Sequence, residues 1–337
     1  MLYNLDEICL IPTLVSDVES RSEVNVYTNR NRYPLFTAPM SCLVDETNYK
    51  EFEKNRINTI IPRTVKWETR LGLLKEGQWV SVGFKEAQHI CEELIYCEKI
   101  RVCIDQANGH MSRLLDLCKT LKERYGNRIR IMTGNIANPY TYREYARAGV
   151  DYVRVGIGGG GACTTAVQTG IFYPAASLIL GCMEQRRQVV KEMGFGAPYK
   201  SVPKIIADGG IKRIYQIVKA LALGADYVML GEALAKTDLT NGTNIGKYRE
   251  YFGMSTVKAQ KLINEASLYR VEDFTPKHSE GVSRDVAVVQ RINEWVSDFD
   301  HALRSCMSYV GALNLNEFRG QPKWETMSTS SFCAYNK

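Results

Sequence analysis

Four consecutive glycines, Gly158–Gly161, deliver Ala162, Cys163, Thr164 and Thr165 just beyond the strand-like segment Tyr152–Val155. Glycine lets the backbone take positive φ and lets a ligand approach closely, so the run reads as a loop shaped around something bound. A cysteine presented on a polar, glycine-rich loop is a candidate nucleophile, whereas one packed among apolar side chains is an inert thiol. Two more glycine turns carry acidic residues, Asp208-Gly209-Gly210 and Gly231-Glu232, and each opens a segment with helical spacing. Backbone N–H groups at such turns, aided by the helix dipole, bind phosphate; Asp208 on its own reads equally as a helix N-cap before Ile211.

The elements that must position these residues are short, apolar and β-branched. Leu35–Ala38, Thr59–Ile61, Val80–Gly83, Arg101–Asp105, Arg128–Thr133, Tyr152–Val155, Lys204–Ala207 and Asp226–Leu230 are strand candidates. Helical spacing follows several of them, over Glu86–Tyr96, Met111–Tyr125, Pro139–Ala148 and Ile211–Leu223. Eight alternations predict an α/β fold, the (β/α)8 TIM barrel. In that fold the active site lies at the C-terminal ends of the strands, which is where Asp105, Asn108-Gly109, Gly134-Asn135, the Cys163 loop, Asp208 and Glu232 fall. No interdomain linker interrupts residues 1–337, which read as one catalytic domain with a C-terminal extension. Gly170–Val202 and a lid-like segment at about 237–285 stand outside the strand–helix rhythm.

Composition narrows the class. With 45% hydrophobic and 24% charged residues, the 337-residue chain can bury a large core. The net charge of +6 is spread along the chain, which suits small anions and argues against nucleic acid. No stretch approaches the length that spans a membrane, and the acidic start around Asp6 and Glu7 is unlike a leader, so a cytoplasmic setting is expected. Ten cysteines without a CxxC pair, alongside four histidines, indicate neither a zinc site nor a disulfide framework.

Several motifs in fixed order resemble the IMP dehydrogenase/GMP reductase family. They are Asp6–Pro12, Thr37-Ala38-Pro39-Met40, Asn135, the Cys163 loop, Ala207-Asp208-Gly209-Gly210-Ile211, Tyr251-Phe252-Gly253-Met254-Ser255 and Arg304–Ala312. No regulatory domain fits between Arg63 and Arg101. Cys163-Thr164-Thr165, Thr169-Gly170, Tyr173-Pro174 and Gly253-Met254-Ser255 look like the reductase branch, since the dehydrogenases typically place isoleucine between cysteine and threonine. The resemblance implies NADPH-dependent reductive deamination of GMP to IMP and ammonia through a purine adduct on Cys163. The thiolate is the competent nucleophile, and N–H groups of a glycine loop favour it.

Residue roles follow from the same likeness. Thr165 and Glu280 would move protons on and off the departing amine. Asp208 would bind the ribose, and the amides of Gly209, Gly210, Gly231 and Glu232 the phosphate. Gly253, Met254 and Ser255 would lie against the purine, with Gly281 closing over it. For NADP(H) the likeness points to Arg63, Asp105, Gln106, Ala107, Ile157 and Gly158, and to Ser20 and Arg21 from a neighbouring subunit of a homotetramer. A monovalent cation such as K+ would sit among the carbonyls of Gly158, Gly160 and Cys163.

Departures from the family pattern bear on substrate and cofactor preference. Gly161 makes a fourth glycine, Gln168 stands in a usually basic stretch, and Arg63 replaces a lysine. Before Ser279-Glu280-Gly281, where an arginine is usual, either Lys277 acts as a point charge or Arg270 reaches in. The alternatives to a reductase are an NAD-dependent IMP dehydrogenase forming XMP and, more remotely, a non-catalytic nucleotide-binding barrel.

Overall fold

The computed structural model describes residues 1–94, 97–194 and 202–335. Eight parallel strands are hydrogen-bonded in sequence order: β1 (Leu35–Thr37), β2 (Ile60–Ile61), β3 (Trp79–Val82), β4 (Ile100–Asp105), β5 (Ile129–Ile136), β6 (Tyr152–Val155), β7 (Lys204–Asp208) and β8 (Tyr227–Leu230). Strand β1 pairs with β8 through Leu35↔Val228 and Thr37↔Leu230. On its other side Phe36 bridges to Asn58, just ahead of β2, and the Thr37 N–H donates to the Asn58 carbonyl at 2.9 Å. The sheet therefore closes on itself into the expected (β/α)8 barrel.

Burial explains why these segments became strands. Trp79–Val82 is buried throughout, and the other strands are buried at most positions, as parallel strands covered on both faces must be. Trp79, Tyr152 and Tyr227 are the first residues of β3, β6 and β8, and their rings meet Phe36 at centroid distances of 5.1–6.3 Å. These aromatics fill the N-terminal end of the barrel and leave the polar chemistry to the other end.

Three local expectations change. Gly134 and Asn135 lie inside β5, which continues past Thr133 to Ile136 with an irregular register against β6. The helix after β7, α8 (Ile214–Ala222), starts behind an Arg213 cap, so Asp208 is not its N-cap. The described part of 170–202, residues 170–194 and 202, is no insertion outside the rhythm, because it contains α7 (Ala175–Glu192), the crossover helix between β6 and β7; residues 195–201 lie outside the described residues. Its apolar spacing is broken by a run of charged and polar side chains, Glu184 to Gln188, which hid the helix from a reading by periodicity.

The segment at 237–285 has structure of its own. Strands β9 (Asn244–Ile245), β10 (Tyr248–Phe252) and β11 (Ser283–Ala287) form an antiparallel sheet, with α10 (Val257–Ala266) between the last two. Helix α11 (Ile292–Tyr309) follows and buries Trp295, Phe299, Leu303 and Met307 on one face. Among the described residues no helix is long and apolar enough to cross a membrane.

Candidate active site

Cys163 leads into a continuous hydrogen-bonded path. Its Sγ donates to Thr165 Oγ1 at 3.3 Å, and Thr165 Oγ1 donates to Glu280 Oε2 at 2.7 Å. Thr165 is the first residue of α6 (Thr165–Thr169), directly after the loop from β6. Glu280 arrives from 115 residues away because β10 pairs with β11 through Phe252↔Ser283, which fixes the turn just before β11. That turn is clasped to the loop from both sides. Thr164 N–H donates to the Glu280 carbonyl at 2.8 Å, Val282 N–H to the Ala162 carbonyl at 3.0 Å, and Gln168 Nε2 to the Ser279 carbonyl at 3.2 Å. Cys163 and Gly281 also form a bridge.

The path can carry a proton from thiol to carboxylate through a hydroxyl that both accepts and donates. Cys163 is half-buried, whereas burial pushes the Cys103, Cys118 and Cys182 thiols up to about 12. Those three are inert packed thiols.

Beside this path lies an ionic network centred on Arg154, a buried residue of β6. Its Nη1 donates to Asp105 Oδ1 at 2.6 Å, while Nε and Nη2 reach Asp208 Oδ2 at 3.0 and 2.9 Å. Asn135 Nδ2 donates to the same Asp208 oxygen at 2.7 Å. Burial pushes the Arg154 guanidinium towards deprotonation, but the Asp208 and Asp105 carboxylates outweigh it and hold it charged. All three contacts converge on Oδ2, so Asp208 Oδ1 remains an acceptor for a ligand. Sequence reasoning passed over Arg154. The signal was there: a charge inside the apolar run Tyr152-Val153-Arg154-Val155 is rarely buried without a partner.

A cavity at the same barrel end is lined by Gly160, Gly161, Asp208, Gly209, Gly210 and Gly231, with Glu232 and Tyr251. Of the residues expected around a purine, Gly253 N–H donates to the Val282 carbonyl at 3.3 Å, and Ser255 Oγ lies beside the Gly281 backbone. Met254 packs against the core between them. These groups therefore border Cys163. Glu232 departs from expectation: its carboxylate, and not only its amide, faces the glycine turns and pairs with Arg284.

The residues expected for a dinucleotide divide into two places. Arg63 Nη1 donates to the Asp105 carbonyl at 3.3 Å, and its Nε is buried without a hydrogen-bond partner. An orphaned guanidinium nitrogen at the barrel mouth fits an anionic or polar cofactor group. Gln106 accepts from Asn135 N–H at 3.2 Å, and Ala107 is exposed next to it. Ile157 and Gly158 start the glycine loop, and Gly158 has φ +79, with α6 so close that a side chain would strike Ala166. Ser20 and Arg21 sit elsewhere in the chain: Ser20 caps the turn Arg21–Glu23, which packs on α11.

Two expected basic residues have exposed side chains. Arg270 is exposed, and its neighbour Tyr269 sets its ring edge-on to His89 of α3 (Phe84–Glu93) at 6.2 Å. Lys277 is also exposed, its backbone paired in both directions with the Gln260 side chain. Among the carbonyls expected to hold a cation, that of Gly160 already accepts from Cys163 N–H at 3.0 Å.

Comparison with known proteins agrees with this geometry. The family model described as IMP dehydrogenase / GMP reductase domain matches residues 72–334. An inosine-5'-monophosphate dehydrogenase of Chlorobaculum tepidum is 30% identical over 267 residues, covering 77% of this chain and 51% of that protein. One from Staphylococcus haemolyticus is 30% identical over 93% of this chain and 70% of its own length. A GMP reductase of Buchnera aphidicola is 31% identical over 72% of this chain and 65% of its own. The chain spans about half the length of several of the dehydrogenases that it matches. With the barrel strands from β3 onwards, the Cys163 loop and most of the chain covered by the family model, this protein belongs to the IMP dehydrogenase/GMP reductase family.

Proposed function

We propose that the protein is a GMP reductase, which converts GMP and NADPH to IMP, NADP+ and ammonia. The observation that carries this reading is the path from Cys163 Sγ through Thr165 Oγ1 to Glu280 Oε2. Loss of the thiol proton along it leaves a thiolate that attacks C2 of the purine. The proton, held on Glu280 and relayed by Thr165, returns to the C2 amine as the carbon–nitrogen bond breaks, and ammonia departs. The reduced nicotinamide, when bound, supplies the hydride for C2. The carbon–sulfur bond then breaks, and Cys163 recovers as thiolate, which takes one proton from solvent to restore the thiol. Asp208 Oδ1 is the acceptor for the ribose hydroxyls, and Arg63 with the Asp105–Ala107 turn the place for the dinucleotide. A monovalent cation at Gly158, Gly160 and Cys163 has one of its three carbonyls engaged already, and no step depends on it. We place the enzyme in the cytoplasm.

A second reading, oxidation of IMP to XMP with NAD, draws on the relatives named inosine-5'-monophosphate dehydrogenase. It needs a group that activates water near the adduct. Tyr269 is docked against His89 of α3 and Arg270 beside it is exposed, which favours the reductase. Incubation with GMP plus NADPH, and separately with IMP plus NAD, decides between them. NADPH oxidation with IMP and ammonia formed is expected; NADH with XMP formed would overturn the reductive reading.

A further inference from the structure

The end of the cavity suited to a phosphate already contains an anion. In a barrel of this type the glycine turns after the seventh and eighth strands offer backbone N–H groups to phosphate, and here those turns are Gly209-Gly210 and Gly231-Glu232. The buried Glu232 side chain turns back into that space. Its Oε2 lies so close to the glycine loop that a Cβ added to Gly161 would sit 2.0 Å from it. Arg284 pairs with it directly, Lys212 Nζ is 3.7 Å from Oε2, and Lys236 Nζ is 3.9 Å from Oε1. The cations that would neutralise a phosphate are thus gathered on a carboxylate of the chain itself.

We propose that Glu232 is a specificity-determining residue that cancels the advantage of a 5′-phosphate, so that the enzyme also accepts the unphosphorylated purine nucleoside, guanosine. The proposal rests on the Cys163 reading above and changes only the group at the ribose 5′ end. A phosphate dianion entering the turns meets a like charge at close range, or must displace Glu232 from three cations. A 5′-hydroxyl instead donates a charge-assisted hydrogen bond to it. Asp208 Oδ1 provides a second carboxylate acceptor for the other ribose hydroxyls, so this end of the site suits a neutral donor-rich sugar. Reaction at C2 is unaltered: guanosine and NADPH give inosine, NADP+ and ammonia through the same bonds.

The test compares initial rates for GMP and guanosine with NADPH, alongside calorimetric binding of each, in the full chain and in Glu232→Gln, which keeps shape and loses charge. For the unaltered protein kcat/KM for the two substrates should agree within about tenfold, and Glu232→Gln should raise the GMP-to-guanosine ratio by about tenfold or more. A preference for GMP of about a hundredfold in the unaltered protein, or a ratio unmoved by the substitution, would overturn the proposal and leave the reductase standing. If neither compound reacts but both bind, the ratio of their Kd values decides in the same way. If neither binds, the purine reading of the whole site fails with it.

Discussion

At the scale of residues, a half-buried thiol, a hydroxyl and a carboxylate in series make a proton path, and two substitutions divide its work. Cys163→Ala removes the nucleophile without enlarging the loop; turnover should vanish while nucleotide affinity, read by calorimetry, stays within about an order of magnitude. Persistent turnover would rule out the covalent route. Glu280→Gln keeps a hydrogen-bond partner for Thr165 and loses the base, so kcat should fall about 10²-fold or more with little change in KM. A matching loss in binding would instead make Glu280 a structural clasp. Cys163 was legible from its glycine loop alone, while Glu280 stood out only through family resemblance, since an isolated Ser-Glu-Gly carries no local signal. Arg154 and the Glu232 carboxylate escaped because their meaning depends on partners from other strands.

Elements place these groups, and one buried acid holds several of them together. Asp226, just before β8, accepts from Ile205 N–H at 2.9 Å, pairs with Arg186 of α7, and meets Lys204 Nζ at 3.1 Å. Burial alone would raise its pKa, but Arg186, Lys204 and Arg319 overcome that and lower it to about 2 from 3.8. A depressed folded-state pKa means that its stabilisation is complete above the unfolded value and fades as pH falls from about 4 towards 2. Asp226→Asn should therefore cost about 3–5 kcal/mol at neutral pH by urea unfolding, and the gap to the unaltered protein should narrow through that window. A gap independent of pH would refute the charge argument. Arg70 and Glu86 make a similar tie: the guanidinium binds both carboxylate oxygens at 3.0 and 2.7 Å and also reaches the Ala266 carbonyl at 3.4 Å. This anchors the end of α10 to the barrel, close to where Tyr269 meets His89 of α3.

Over the whole molecule, the barrel separates packing from chemistry. Aromatic rings close its N-terminal end, and charged and glycine-rich turns gather at the other. Val167, Ile171 and Phe172 remain exposed beside the Thr165 helix, and Ser20 and Arg21 lie in a separate turn on α11. Both features suit a site completed by a neighbouring copy, and we expect a homotetramer of the 38.1 kDa chain in sedimentation equilibrium. A monomer at working concentration would remove Ser20 and Arg21 from the cofactor site.

By itself the sequence determined the eight strands, their alternation with helices and the loop that carries Cys163, because burial pattern and glycine turns are local properties. It also marked the strand ends where the site had to form. Tertiary structure alone decided that β10 would pair with β11 and bring Glu280 to Thr165, that Arg154 would join Asp105 to Asp208, and that the Glu232 carboxylate would turn into the cavity beside the glycine turns. Each depends on contacts between residues far apart in the chain, whose geometry no local pattern encodes until the barrel has closed.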